Sequence, residues 1–194
     1  MLLPEKLEDY KIILASQSPR RQLLLKGLDI PFTVIVKDVE EKFPEELKRE
    51  EIALYLSELK AAAFDNEIDD KTLVITADTI VWINNQVLSK PKDFDDAVSI
   101  LTQLSGNMHE VITGVCLKTK AKTHTFYALT NVYFKKLSQK EIHYYVSNYK
   151  PYDKAGAYGA QEWIGYVAIE HIEGSYFNVM GLPTRLLYDE LMKF

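Results

Sequence analysis

The chain is predicted to fold as an α/β protein with a mixed sheet, and three observations predict it. Short apolar runs of strand length alternate with segments of helical spacing along the whole sequence. Cap and turn residues fall between these segments, where such residues are needed. No Gly/Ser-rich linker, low-complexity stretch or fixed-period repeat breaks the alternation.

Strands are predicted at Lys11–Ala15, Phe32–Val36, Leu73–Ile83, Val111–Leu117, Phe126–Phe134 and Val167–Ile172. Helices are predicted near Arg20–Lys26, Leu47–Phe64, Phe94–Leu104, Ser138–Ser147 and Thr184–Phe194. Ser18 is placed to cap the first of these, and Pro19 suits its first turn because it has no N–H to leave unpaired. Asn84-Asn85 reads as a hairpin turn, since asparagine tolerates positive φ. Asp93 is placed as a cap, and Ser138-Gln-Lys-Glu141 has the spacing of a capping box.

With 194 residues, the chain fits one large domain or two small lobes and buries a sizeable core. A net charge of −5 argues against a general nucleic-acid coat, but not against a phosphorylated ligand drawn by a local cluster of cations. No apolar run reaches transmembrane length, and Met1-Leu-Leu-Pro-Glu-Lys6 does not read as a secretory signal. A single cysteine, Cys116, excludes an internal disulfide and reads as a buried, inert thiol. Cytoplasmic location, with no membrane or nucleic-acid partner, is the expectation.

Polar residues gather in four loop-like segments where a core would not hold them. Leu14-Ala-Ser-Gln-Ser-Pro-Arg-Arg21 runs from a strand into a helix start. Free N–H groups and two guanidiniums there suit phosphate or carboxylate, and the alternative is a solvated arginine face. Thr76-Ala-Asp-Thr79 places Asp78 inside an apolar run, which is costly unless the carboxylate is paired, binds metal or faces water. It reads as a general base, as a metal-adjacent carboxylate, or as a turn aspartate bonded to nearby amides. Ser89-Lys-Pro-Lys92 stiffens the chain beside Lys90, which is otherwise an ordinary loop charge. Pro151–Gln161 and Glu173–Pro183 hold half of the eight glycines, with Tyr158 as a stacking face and Gln161 as an amide. The alternative for that segment is a tightly turned aromatic core corner.

Phosphate-binding glycine loops, zinc spacings and a Gly-x-Ser-x-Gly elbow are absent from the sequence, and His109, His124, His143 and His171 are scattered. A participating metal would be a hard cation such as Mg²⁺, carried on substrate phosphates and held by carboxylate oxygens.

These segments, in this order, resemble the Maf family of nucleotide pyrophosphatases. The matching stretches are Leu14–Arg21, Ala77–Val81, Lys90-Pro91, Ser105–Val115, Asp153–Tyr158 and Gly174–Pro183. The resemblance spans nearly the whole chain and implies one domain over residues 1–194. It implies an elongated mixed central sheet with helices in two lobes around a cleft, similar to the inosine-triphosphate pyrophosphatases. It also implies hydrolysis of nucleoside triphosphates to monophosphate and pyrophosphate with a divalent cation, Mg²⁺ or Mn²⁺, and often a homodimer. Asp153-Lys-Ala-Gly-Ala-Tyr-Gly-Ala-Gln161 looks like the branch associated with dTTP and UTP rather than 7-methyl-GTP.

By motif position, Asp78 corresponds to a proposed proton acceptor, while Arg20, Thr79 and Gln161 correspond to positions linked to base choice. Ser16 and Arg21 fall in the same substrate-binding motif as Arg20. Lys60, Lys90 and Glu41 match charged residues facing phosphates and metal, with Asp78 alternatively a metal ligand. The chain departs from the family at Glu162, where glycine commonly follows the glutamine, and at Trp163-Ile164-Gly165-Tyr166. Both departures bear on substrate preference, not on the reaction. The rival readings are a pyrophosphatase for modified nucleotides and a non-catalytic nucleotide-binding regulator of cell division.

Overall fold

The computed structural model describes residues 2–194 and has the mixed α/β architecture expected from the sequence. In chain order its main elements are α1 (Leu3–Lys6), β1 (Lys11–Leu14), α2 (Pro19–Lys26), β2 (Thr33–Val34), α3 (Glu50–Ala62), β3 (Thr72–Ile83) and β4 (Gln86–Leu88). There follow α4 (Phe94–Leu104), β5 (Met108–Lys118), β6 (Thr123–Phe134), α5 (Gln139–Tyr149), α6 (Trp163–Ala168), β7 (Ile169–Glu173), α7 (Tyr176–Val179) and α8 (Thr184–Lys193). Among the described residues the hydrogen-bonded strand order is β2-β1-β3-β5-β6-β7, with β4 pairing β3. No described helix is long and apolar enough to cross a membrane.

The chain divides into two compact units. The first comprises the segment ending at Asp78, Thr113–Ala128 and Gly181–Phe194. Here β1 pairs in parallel with both β2 and β3. Parallel neighbours need crossovers, and α2 and α3 supply them. The start of α2 follows from its sequence: the Ser18 hydroxyl accepts the Arg21 N–H and Pro19 opens the helix. Helix α3 buries Ile52, Ala53, Leu56, Ser57 and Ala61, a stripe of helical period. Its acidic first turn (Glu50, Glu51) and Lys60 in its last turn both suit the helix dipole.

Gly114 on β5 lies so close to α3 that a Cβ there would meet the Ala53 carbonyl oxygen at 2.3 Å and the Leu54 nitrogen at 2.6 Å. Both are backbone atoms, so relief requires moving the helix. Gly114→Ala is expected to cost about 3 kcal/mol. In a thermal melt that is a fall of roughly 10 °C in the midpoint, and an unchanged midpoint would contradict this packing.

The second unit comprises Thr79–Ile112 and Leu129–Met180. The β3–β4 hairpin turns through Asn84 (φ 52°) and Asn85 (φ 59°), the positive-φ pair that a two-residue hairpin requires. Asp93 caps α4, and the Ser138/Glu141 capping box opens α5 as the spacing predicts. The Lys135 ammonium and the Ser138 N–H and hydroxyl hold the Glu141 carboxyl down to about 2. The core gathers Leu101, Leu104, Ile142, Tyr145, Val146 and Ile164.

Several boundaries differ from the expectation. Only Thr33–Val34 of the predicted Phe32–Val36 strand pairs with β1, and α3 is shorter than Leu47–Phe64. Val167 and Ala168 end α6 rather than begin a strand, and β7 occupies Ile169–Glu173. The apolar run misled because Ile164 and Ala168, four residues apart, bury one helical face. The Thr76–Thr79 segment is not a loop but the middle of a twelve-residue strand.

Candidate active site

Strand order alone marks a place for a ligand in the first unit. From β1 the chain moves to β2 on one side, and β3 then lies on the other side of β1. Such a switch in direction opens a crevice outside the carboxyl ends of the parallel strands. Ser16–Arg21 follows the end of β1, the segment carrying Glu41 follows β2, and Asp78 lies three residues beyond the last β1–β3 pair, Leu14 with Ile75.

The turn after β1 is fixed from within. Buried Ser16 accepts the Ser18 N–H on its hydroxyl at 3.2 Å, and its carbonyl accepts from Gln22 Nε2 at 3.3 Å. Arg21 donates its Nε to the Gly181 carbonyl at 2.8 Å, which ties the helix start to the segment before α8. Burial draws the Arg21 guanidinium below its ordinary pKa; the charge of Asp78 opposes this, Arg20 adds to it, and Glu41 opposes it. These four charged groups therefore share one neighbourhood.

Lys60 joins the two carboxylates of that neighbourhood. Its Nζ contacts Asp78 Oδ1 and lies 3.0 Å from Glu41 Oε1. Asp78 is buried, 7% exposed, so its carboxylate depends on this partner. The register is set nearby: the Thr76 hydroxyl donates to the Ser57 carbonyl at 2.5 Å. Thr76 and Asp78 share a strand face, and Ser57 and Lys60 share a helix face, so that bond aligns the ion pair. Arg20, Arg21 and Lys60 gather around the Asp78 and Glu41 carboxylates, which concentrates cations locally in an acidic chain. Such a cluster suits a polyanion.

No group of three or more His, Cys, Asp or Glu among the described residues is arranged to hold a metal. Asp78 and Glu41 nonetheless converge on one ammonium. Two carboxylates are what a Mg²⁺ ion takes from protein when substrate phosphates and water complete its shell, so the donor set fits.

Of the other sequence-derived candidates, Thr79 follows Asp78 on β3 and is half-buried. Lys90 is exposed beyond β4, and Gln161 is exposed just before α6. All three belong to the second unit. Tyr158 corrects the expectation of a stacking face: it is buried, with its hydroxyl 2.8 Å from His109 Nε2. Its ring packs edge-on against Phe134, and burial holds the His109 pKa down to about 3. This corner is core. Cys116 is buried as expected, and burial pushes its thiol up to about 12. Sequence reasoning missed the Gly181 carbonyl as the Arg21 anchor, and nothing in a chain separation of 160 residues signals it.

The profile of the family described as Maf-like protein matches residues 11–194. The chain belongs to the Maf family. Maf relatives named dTTP/UTP pyrophosphatase include one from Flavobacterium johnsoniae, 53% identical over 190 residues and covering 98% of each chain. Another, from Phocaeicola vulgatus, is 55% identical over 190 residues, covering 97% of this chain and 98% of its own. The Staphylococcus aureus Ham1 protein superposes on this Maf chain with a TM-score of 0.50 at 18% identity, over 94% of this chain and 98% of that one. That similarity is one of fold.

Proposed function

We propose that this chain hydrolyses dTTP and UTP to the nucleoside monophosphate and pyrophosphate. The observation that carries the reading is the Lys60 ammonium held between the Asp78 and Glu41 carboxylates beside Arg21. The high identity to relatives named for dTTP and UTP supports the substrate class. We place the activity in the cytoplasm, where a free thiol such as Cys116 stays reduced.

A triphosphate brings close to four negative charges and competes with the two carboxylates for Lys60. As Lys60 turns to the phosphates, Asp78 is left as a carboxylate with no ammonium, able to take a proton from the water that attacks the α-phosphorus. Lys60, Arg20 and Arg21 neutralise the pyrophosphate as the α–β bond breaks; a positioned charge of this kind is worth roughly 10²–10³-fold. Lys90 enters the same role by motif position. Glu41 would hold Mg²⁺ or Mn²⁺, with metal ligation the alternative to proton acceptance for Asp78; when bound, the cation supplies charge neutralisation on the phosphate oxygens.

Gln161 is assigned to the base, together with Arg20 and Thr79. Uracil and thymine present an imide N–H flanked by carbonyls, and a side-chain amide can both accept from that N–H and donate to a carbonyl. Cytosine reverses the polarity at its N3/N4 edge and is rejected, while the C5 methyl changes little. Pyrophosphate release across natural and modified triphosphates tests this. The expected result is turnover of dTTP and UTP within about a hundredfold of each other, poor use of CTP, and relaxed selection in Gln161→Ala. Preference for CTP or 7-methyl-GTP over UTP would overturn it.

A further inference from the structure

Gln161 sits in a tight turn of the second unit. The Glu162 N–H donates to the Gly159 carbonyl at 2.9 Å, which places Ala160 and Gln161 at the two central positions. Both ends of the turn are also held by one side chain. The Tyr145 hydroxyl, reaching from α5, accepts the Gly159 N–H at 3.1 Å and donates to Glu162 Oε2. The other carboxylate oxygen, Oε1, lies 3.0 Å from Lys154 Nζ, itself buried and paired with Asp153 at 2.7 Å.

We propose that Tyr145, Glu162 and Lys154 are positioning residues that aim the Gln161 amide and so set pyrimidine selection. The inference rests on the reading of Gln161 as the base-selecting residue. It gives the Glu162 carboxylate, which joins the end of the turn to both Tyr145 and Lys154, a role. A glycine there could not receive the Tyr145 hydroxyl or the Lys154 ammonium. The turn would then keep its backbone bond and the Tyr145–Gly159 bond, but Tyr145 would hold only one of its two ends.

The supporting geometry leaves little slack. Burial and the adjacent Glu162 carboxylate raise the Tyr145 pKa far above its ordinary value, so the hydroxyl keeps the proton that it donates. A Cβ on Gly159 would meet the Glu162 carboxyl carbon at 2.9 Å, so carboxylate and turn are in direct contact. A Cβ on Gly165 would meet the Ala160 carbonyl oxygen at 2.0 Å, so the start of α6 backs the same turn. Tyr145 also stacks on Tyr149, with ring centroids 5.0 Å apart, an interaction that Tyr145→Phe retains.

The test measures kcat/KM by pyrophosphate release for UTP and CTP in each variant. Because both substrates are read on the same sample, any loss of folded protein cancels from their ratio. Tyr145→Phe and Glu162→Ala are expected to lower the UTP-over-CTP ratio about tenfold, a discrimination that hydrogen-bonding groups supply only when aimed. Glu162→Gln, whose amide oxygen still accepts from Tyr145, is expected to retain most of the ratio. In a Gln161→Ala background, Tyr145→Phe is expected to change the ratio by less than about twofold, since residues acting through one another are not additive. An unchanged ratio in both Tyr145→Phe and Glu162→Ala, alongside a reduced one in Gln161→Ala, overturns the positioning role and leaves the base reading intact. An equal effect of Tyr145→Phe with and without Gln161 also overturns it. A ratio unaffected by Gln161→Ala overturns the base reading itself.

Discussion

Asp78→Asn is expected to lower UTP turnover about 10²–10⁴-fold, the range that a positioned general base contributes, while leaving the unfolding midpoint near that of the parent chain. The substitution keeps side-chain shape, and the amide oxygen still accepts from Lys60, which retains Glu41 at 3.0 Å. What it removes is one negative charge and the capacity to take a proton from water. Single-turnover assays over a range of Mg²⁺ concentrations with a parallel denaturant titration give both quantities. A loss that persists as Mg²⁺ is raised assigns proton acceptance, whereas recovery at high Mg²⁺ assigns metal ligation. Turnover within about threefold of the parent would remove Asp78 from the mechanism.

Lys60→Ala is expected to damage both stability and catalysis. It strands the Asp78 carboxylate, only 7% exposed, without its ammonium. Breaking a buried pair from one side costs about 3–5 kcal/mol, and the 16% exposure of the Lys60 side chain places this case at the low end, about 3 kcal/mol. Turnover is expected to fall roughly 10²-fold through loss of a charge on the leaving group. The double substitution Lys60→Ala with Asp78→Asn separates the two effects. Removing the stranded charge is expected to recover part of the stability but none of the turnover. A denaturant midpoint unmoved by Lys60→Ala would contradict the dependence of buried Asp78 on this ammonium.

Local signals in the sequence explain how much of this was legible. The Ser18 cap, the Asn84-Asn85 turn and the Ser138/Glu141 box depend on neighbours within four residues, and each forms where expected. Asp78 was legible because a carboxylate within an apolar run demands a partner, though the run gives no hint that the partner is Lys60, eighteen residues earlier. That pairing is set by the Thr76–Ser57 bond and by the close approach of Gly114 to α3, both of which are tertiary. Tyr158 misled for the opposite reason. An aromatic beside glycines reads equally as a ligand face or a packed corner, and only the His109 and Phe134 contacts decide for the corner. Glu162 was visible only as a departure; its partners Tyr145 and Lys154 become evident once the chain is folded.

The central claim is hydrolysis of the α–β phosphoanhydride bond, and product analysis tests it most directly. Incubating the protein with UTP and Mg²⁺ and following the mixture by phosphorus NMR is expected to show UMP and pyrophosphate appearing in equal amounts, without UDP. Formation of UDP and inorganic phosphate, or stoichiometric UTP binding with no turnover at all, would contradict it.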